Sequence, residues 1–350
     1  MFLILILPYS RYFNPNKNKD RPQNLYKHAF SPRIVELIRL KGVDKQYYNH
    51  DILKGVDFSI EEGDFLGIIG KSGSGKTTLL NLITGFIQPT KGQVLYFSKV
   101  TEGPQDLNYD LHKLKKFIGF TPQHNAFYPK LTVKENLFHF GKLYNVERNT
   151  LVYNIKNLLE FTRLIDHRNK LAEHLSEGMQ RRLDIACSLV HKPKLLVLDE
   201  PTADLDPLIQ KEILTLLKEV NKLGVTIVMA SHQLESVENI CNKVAIVHNS
   251  KVYSHGLIDD IKKPFLKQNF TINLRPGENR ELLINTLQRL PIKKIVDQGT
   301  QLVIYPEDIQ RTVSSLLKVL EEENLYFNDL DVRKPSLNEI FELISLRKDH

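Results

Sequence analysis

Cysteine is scarce in this chain: Cys187 and Cys241 are the two in 350 residues. A disulfide scaffold is excluded, and the usage suits a reducing compartment. Long apolar runs are missing too. No stretch approaches the roughly 18 consecutive apolar residues of a spanning helix, so the chain is not expected to cross a bilayer by itself. The twelve histidines form no H-E-x-x-H pair and the cysteines no close pairing, which removes the zinc enzymes. His124, His139, His167 and His174 read as surface residues, and Cys187 as packing on the apolar face of a helix. There is no internal repeat and no low-complexity block. What is left is 41% hydrophobic and 25% charged, the composition of a soluble globular protein.

The net charge of +7 suggests nucleic acid at first sight, but its distribution argues otherwise. Within residues 1–34, Arg11, Lys17, Lys19, Arg21, Lys27 and Arg33 face Asp20 alone. Most of the excess therefore sits in this tail, and too little remains for the one-faced basic stripe that tracks a phosphate backbone. No nucleic-acid partner is expected. The tail opens with the apolar run Phe2–Leu7, stopped by Pro8. It lacks a signal peptide's basic start and cleavage site, and it reads first as a disordered or wrongly assigned start over residues 1–33 and second as a weak surface tether.

At roughly 150 residues per domain the length predicts two domains. Strand-length apolar runs occur at Phe65–Ile69, Leu195–Leu198, Val225–Ala230 and Val244–Val247. Helical periodicity lies between them, at Leu79–Ile83, Leu183–Val190 and Ile213–Val220. Buried strands alternating with helices predict an α/β domain over 34–262 with a mostly parallel sheet, and a helical subdomain inserted at about 100–190. A boundary is expected near Lys262–Pro264. Over 266–350 the pattern reads strand (Phe270–Leu274), helix (Arg280–Leu290), a strand pair turning at Gly299 (Ile295–Tyr305), helix (Glu307–Glu322) and a strand ending near Val332. That is a split βαβ order, a small α+β accessory domain. A last helix is expected from Ser336, capped by Glu339.

The chemistry is carried by Gly70-Lys71-Ser72-Gly73-Ser74-Gly75-Lys76-Thr77, which follows a predicted strand and opens a predicted helix. This is the G-x-x-x-x-G-K-[ST] phosphate loop in the context it requires. Backbone N–H groups wrap a phosphate where missing Cβ atoms allow it, and the helix N-terminus adds positive potential. Lys76 is placed for the β- and γ-phosphates and Thr77 for Mg²⁺, with Thr78 alongside. Leu195–Leu198 then delivers Asp199 and Glu200 to the sheet's carboxyl edge. Asp199 is expected to hold Mg²⁺, and Glu200 to orient and deprotonate the attacking water. A GTPase would need an Asn-Lys-x-Asp guanine reader, and Asn221-Lys222 and Asn242-Lys243 do not continue that way.

Further segments carry a resemblance. Leu175-Ser176-Glu177-Gly178-Met179-Gln180-Arg181-Arg182-Leu183, just before the Asp199 strand, is similar to the signature motif of the ATP-binding cassette (ABC) transporter ATPases. Gln123 in Phe120-Thr121-Pro122-Gln123 resembles that family's glutamine loop, Asp206 its D-loop, and His232 its switch histidine. The match covers about residues 34–260, with every motif in the family's order. It implies a P-loop NTPase fold of the ABC type, with antiparallel β and helical subdomains. It also implies ATP and Mg²⁺ as cofactors and a dimer with itself or a related ATPase, sandwiching two ATP molecules head to tail. Ser176, Glu177, Gly178 and Met179 of one copy would then cap the nucleotide of the other. Glu200 would be the general base, His232 the γ-phosphate contact, and Gln123 a third metal-side residue with Thr77 and Asp199. Adenine would stack on an upstream aromatic, Tyr47 in preference to Tyr48. Glu177 and Met179 depart from the commonest signature, where glycine and glutamine stand, and Asp204 from the D-loop's small residue.

The Met-Gln-Arg-Arg-Leu continuation and Pro335-Ser336-Leu337-Asn338-Glu339-Ile340-Phe341 resemble the drug-resistance exporter branch. That implies an ATPase peripheral on the cytoplasmic face of the membrane. It would drive a permease held in a separate chain, exporting a drug-like, lipid or polysaccharide substrate. The segment after Gln123, with Phe127-Tyr128 and Val133–Tyr144, would face the permease. The alternative is a soluble ABC ATPase acting on a partner such as the ribosome.

Overall fold

The structure, a computed structural model, describes residues 35–48, 50–97, 105–106, 116–266, 270–277, 280–323, 325–334 and 336–346. The tail expected over 1–33 lies outside the described residues, as does much of 98–115. In chain order, β1 (Glu36–Tyr47), β2 (His50–Glu61) and β3 (Phe65–Ile69) precede α1 (Lys76–Ile83). Then come β4 (Lys91–Tyr96), β5 (Gln105–Asp106) and β6 (Ile118–Thr121), and helices α2 (Val133–Leu143), α3 (Arg148–Phe161) and α4 (Glu177–Leu189). β7 (Leu195–Asp199), α5 (Pro207–Lys222), β8 (Thr226–Ser231), α6 (Leu234–Ile240), β9 (Lys243–His248), β10 (Lys251–Leu257) and α7 (Ile258–Leu266) follow. The chain continues through β11 (Thr271–Pro276), α8 (Arg280–Leu287), β12 (Ile292–Asp297), β13 (Leu302–Pro306), α9 (Ile309–Glu322), β14 (Phe327–Arg333) and α10 (Leu337–Leu346). The fold is α/β, with a six-stranded mixed sheet and two four-stranded antiparallel sheets. The described residues form two compact units, one within Met1–Phe65 and Thr77–Met229, the other within Leu66–Lys76 and Ala230–His350.

In the first unit β1 pairs antiparallel with both β2 and β4. Alternate residues Val56, Phe58 and Ile60 of β2 are buried while Asp57 is exposed, the period-two pattern of a sheet with one solvated face. β6 and β7 pair in parallel, with Ile118 opposite Leu195 and Thr121 opposite Leu198, and all of β7 is buried. The early part of the stretch expected to be helical thus holds strand β6. Its described helices start at Val133, where Thr132 and Glu135 form a capping box. Helices α2, α3 and α4 close on a common core that includes Leu137, Leu151, Ile155 and Leu183. In α5, Ile213, Leu217 and Val220 form the buried face that their spacing predicts.

In the second unit β3 runs parallel to β9, which pairs antiparallel with β10. The boundary expected near Lys262–Pro264 falls inside α7, where Pro264 stands near the helix end and its missing N–H removes one hydrogen bond. Farther on, the sheet order is β12-β13-β11-β14, antiparallel throughout. Leu283 and Leu287 of α8 and Leu316 and Leu320 of α9 pack on Ile272, Leu274, Leu302 and Ile304. α8 stops at Leu287, three residues before the periodicity does; the residue preceding Pro291 is turned from helical geometry. The Ser336 box forms as expected: Glu339 N donates to Ser336 Oγ at 3.3 Å, and Ser336 N to Glu339 Oε2 at 2.8 Å. Leu337 N also donates to Glu238 Oε2 of α6 at 2.8 Å, and the same carboxylate pairs with Lys262.

Candidate functional site

The glycine loop leaves β3 and turns into α1. Gly73 and Gly75 have φ of +76° and +102°, backbone that side-chained residues avoid. A Cβ on Gly70 would lie 2.4 Å from Ser74 Oγ and 2.6 Å from the Val247 carbonyl, so the loop closes on itself only with glycine there. A Cβ on Gly73 would meet nothing within 4 Å, which leaves the loop's face open. Lys76 is buried and donates across the loop to the Gly70 and Lys71 carbonyls at 2.9 and 3.2 Å. Ser74 Oγ is buried without a hydrogen-bond partner, a donor that a phosphate oxygen suits. Ser72 is exposed and Thr78 half-buried. These residues fit a phosphate chain.

Thr77, next along α1, donates its hydroxyl to Asp199 Oδ2 at 2.8 Å. The contact spans 122 residues of sequence and joins the two phosphate motifs. Both side chains present hard oxygen atoms, the donors Mg²⁺ takes, with water and phosphate completing its shell. Among the described residues no three His, Cys, Asp or Glu side chains cluster as a metal site. Glu200, directly after Asp199, is buried and has φ of +48°. A left-handed glutamate costs on the order of 1–3 kcal/mol and persists where its surroundings over-determine it.

Arg181 of α4 supplies that constraint. Its buried guanidinium donates to the Glu200 carbonyl at 2.8 Å, the Pro201 carbonyl at 2.9 Å and the Pro122 carbonyl at 2.9 Å. Hydrogen bonds from a charged donor contribute about 1.5–3 kcal/mol each, enough to offset the strain. One turn on, Asp184 Oδ1 accepts from Ala126 N and Phe127 N at 3.0 and 3.2 Å. Its Oδ2 lies 3.9 Å from Arg181 Nη1 without a hydrogen bond. Burial raises Asp184 to about 6 against the opposing pull of the two amides and Arg181, and burial likewise lowers Arg181. Sequence reading placed Arg181 inside the signature motif without a task and passed over Asp184.

The remaining site residues fall as follows. Gln123 is exposed, in the loop that Arg181 and Asp184 bracket. Ser176 is the exposed N-cap of α4, and its side chain makes no capping bond there. Glu177 is exposed, and Met179 packs against the helical core. Gly178 is buried, and a Cβ on it would lie 2.7 Å from Ile209 Cγ2, so its glycine serves packing between α4 and α5. Asp206 caps α5, accepting from Leu208 N and Ile209 N at 3.0 and 3.1 Å. Tyr47 ends β1, 42% exposed, with Lys45 Nζ 4.9 Å from its ring centre; Tyr48 is 98% exposed. In the second unit exposed His232 follows β8 and precedes α6.

Three comparisons bear on this arrangement. Residues 53–203 match the family model described as ABC transporter. The linearmycin resistance ATP-binding protein LnrL of Bacillus subtilis (strain 168) is 29% identical over 307 residues, covering 87% of this chain and 97% of that protein. The methionine import ATP-binding protein MetN of Clostridioides difficile (strain 630) is 34% identical over 275 residues, 78% of this chain and 80% of that one. Among solved structures, the dimeric post-hydrolysis ATP-binding cassette MJ0796 bound to ADP and Pi superposes with a TM-score of 0.56 at 29% identity. It spans 63% of this chain and 99% of that one.

Proposed function

The chain belongs to the ABC transporter ATP-binding proteins and is an ATPase, and from that premise we propose that it dimerises on ATP and drives a separate membrane permease in export. The Thr77–Asp199 contact at 2.8 Å carries the ATP-hydrolysing part of the reading, because it sets a phosphate-loop hydroxyl and a strand-end carboxylate side by side, with Glu200 next in line.

The loop amides and Lys76 bind the phosphate chain, and buried Lys76 exchanges its carbonyl partners for phosphate oxygens. Thr77, Asp199 and Gln123 would hold Mg²⁺, which would neutralise charge on the phosphate oxygens. Glu200 orients the attacking water and takes its proton, and His232 touches the γ-phosphate. Phosphoryl transfer to water needs chiefly positioning and charge stabilisation, which these groups supply. Ser176, with a hydroxyl not used to cap its own helix, and the N-terminus of α4 complete the phosphate cage of a second copy. Tyr47 stacks on adenine with its exposed ring.

A cavity of about 460 Å³ lined by Phe86, Ile118, Phe120, Phe140, Leu143 and Tyr144 is the seat for a cytoplasmic helix of the permease. Of the segment expected to face the permease, it uses Phe140, Leu143 and Tyr144, while Phe127 is buried in the helical core and Tyr128 packs on His139. No helix among the described residues is long and apolar enough to cross a membrane, in keeping with peripheral attachment at the cytoplasmic face through that partner.

The resistance relative, aligned over nearly its whole length, supports export as the reading, with a drug-like, lipid or polysaccharide substrate proposed. Import is the second reading, favoured by the methionine import relative at 34% identity. Reconstitution of the purified chain with its co-purifying permease in vesicles separates them: ATP-dependent loss of substrate from the ATP side is export, and accumulation there is import. Sedimentation with ribosomes in place of membranes would overturn the transporter reading in favour of a soluble ABC ATPase.

A further inference from the structure

We propose that Arg181 is the positioning residue for Glu200, so that each copy's signature helix sets its own hydrolytic glutamate while its N-terminus serves the other copy's nucleotide. The inference rests on the proposed ATPase dimer and adds a link inside each chain between its two composite sites.

The geometry is specific. A single guanidinium, three residues along α4 from Gly178, forks onto the backbone at both places where hydrolysis is set up. Nη2 and Nε take the Glu200 and Pro201 carbonyls, and Nη1 takes the Pro122 carbonyl, directly before Gln123. Glu200 itself sits at φ +48°, so its side-chain direction depends on what fixes that carbonyl. Asp184 completes the clamp by accepting the amides of Ala126 and Phe127, so one turn of α4 grips residues 122–127 at both ends. A rigid rotation of α4 on closing over the twin's nucleotide therefore moves the Glu200 carbonyl and the glutamine loop together. A planar fork of fixed donors does this, whereas a lysine's point charge cannot span three carbonyls.

The test uses full-length chain and follows ATP binding with a fluorescent ATP analogue and turnover by phosphate release. Arg181→Ala is expected to keep nucleotide affinity and KM within about threefold while kcat falls on the order of 10²-fold, the size of effect a misplaced catalytic group produces. Arg181→Lys, which preserves charge and bulk, guards against simple misfolding: it should bind ATP normally and lose about tenfold in kcat. Wild-type kcat in either variant overturns the proposal.

The decisive arm is a mixed dimer of one Arg181→Ala chain and one Glu200→Gln chain, purified through two tags. Its one site with an intact glutamate belongs to the Arg181→Ala chain and is capped by an unaltered signature. If Arg181 sets Glu200 within its own chain, this dimer is as slow as the Arg181→Ala homodimer. If Arg181 only supports the signature offered to the twin, that site works and about half of wild-type turnover returns, which overturns the proposal. Full turnover by the Glu200→Gln homodimer is a different failure, that of the ATPase assignment to Glu200 itself.

Discussion

The turn of α4 around Arg181 and the sheet of β11–β14 use their interiors in opposite ways. Around α4 the buried side chains include Arg181, Asp184, Asp199 and Glu200; Arg181 and Asp184 bond backbone groups of the loops that carry the chemistry, and Asp199 accepts from the Thr77 hydroxyl. Between 270 and 346 the buried polar side chains among the described residues are threonines: Thr271, Thr286 and Thr312. Thr286 and Thr312 are satisfied by carbonyls of Leu282 and Pro291, and the rest of that core is Ile and Leu. Burying charge is expensive unless it is hydrogen-bonded, so it is retained where a loop must be held in one geometry. An apolar core needs only volume. The first region is therefore organised for positioning and the second for packing, and substitutions should sort accordingly.

The largest expected effect lies at Glu200. Glu200→Gln should bind ATP normally and lose about 10³-fold in turnover, within the range a positioned base contributes; phosphate release under single-turnover conditions measures it. The counterpart in the C-terminal core is Leu316→Ala, which removes a fully buried side chain between α9 and the sheet. It should cost about 2–5 kcal/mol of stability, read by urea denaturation, and leave kcat of the folded protein unchanged. A large kcat loss there would break the contrast between the two regions.

Much of this contrast was legible in the sequence, for a physical reason. Strands β3, β7, β8 and β9 announce themselves as short apolar runs because they are buried on both faces, and the phosphate loop because glycine at positive φ has no substitute. The order of elements after Thr271 could be read from periodicity alone. Arg181 and Asp184 could not. A charged residue on a helix reads as a solvated face, and burial against loops 20 and 59 residues away leaves no local trace. Gly178 has a packing duty that its place in the signature motif did not announce: a Cβ there would meet Ile209 of the same chain. The helix at Val133 was legible, whereas strand β6 was hidden because it is four residues long within a stretch read as polar and helical.

Asp184 sharpens the comparison through pH. Its carboxyl titrates near 6 in the folded chain against an ordinary 3.8, raised by burial. Between those values the folded state holds a proton that the unfolded state has released. Stability from this group is therefore complete below about pH 4 and lost as pH rises through about 6, an effect of about 3 kcal/mol. Asp184→Asn has no such proton to lose. Relative to wild type it should gain about 3 kcal/mol on going from pH 4 to pH 7 in denaturant titrations. Parallel pH profiles for the two proteins would mean that Arg181 keeps Asp184 ionised throughout, and the buried pair would then be a true ion pair.

The smallest effect is also the one that should not distinguish the regions. Thr132 with Glu135 opens α2, and Ser336 with Glu339 opens α10, by the same reciprocal bonds. In each, the hydroxyl accepts the backbone N–H three residues on, at 3.2 and 3.3 Å, and the glutamate accepts the cap's own N–H at 2.8 Å. Replacing the hydroxyl by alanine leaves the glutamate's bond in place and strands one amide at a helix end that water reaches. Thr132→Ala and Ser336→Ala should therefore each cost about 1 kcal/mol, seen as faster hydrogen exchange in the first turn of α2 or α10, with kcat unmoved in both. A cap acts within one turn and has no knowledge of what its helix is for. If Thr132→Ala alone slowed turnover, α2 would have to be counted with α4 among the elements that set the catalytic loops.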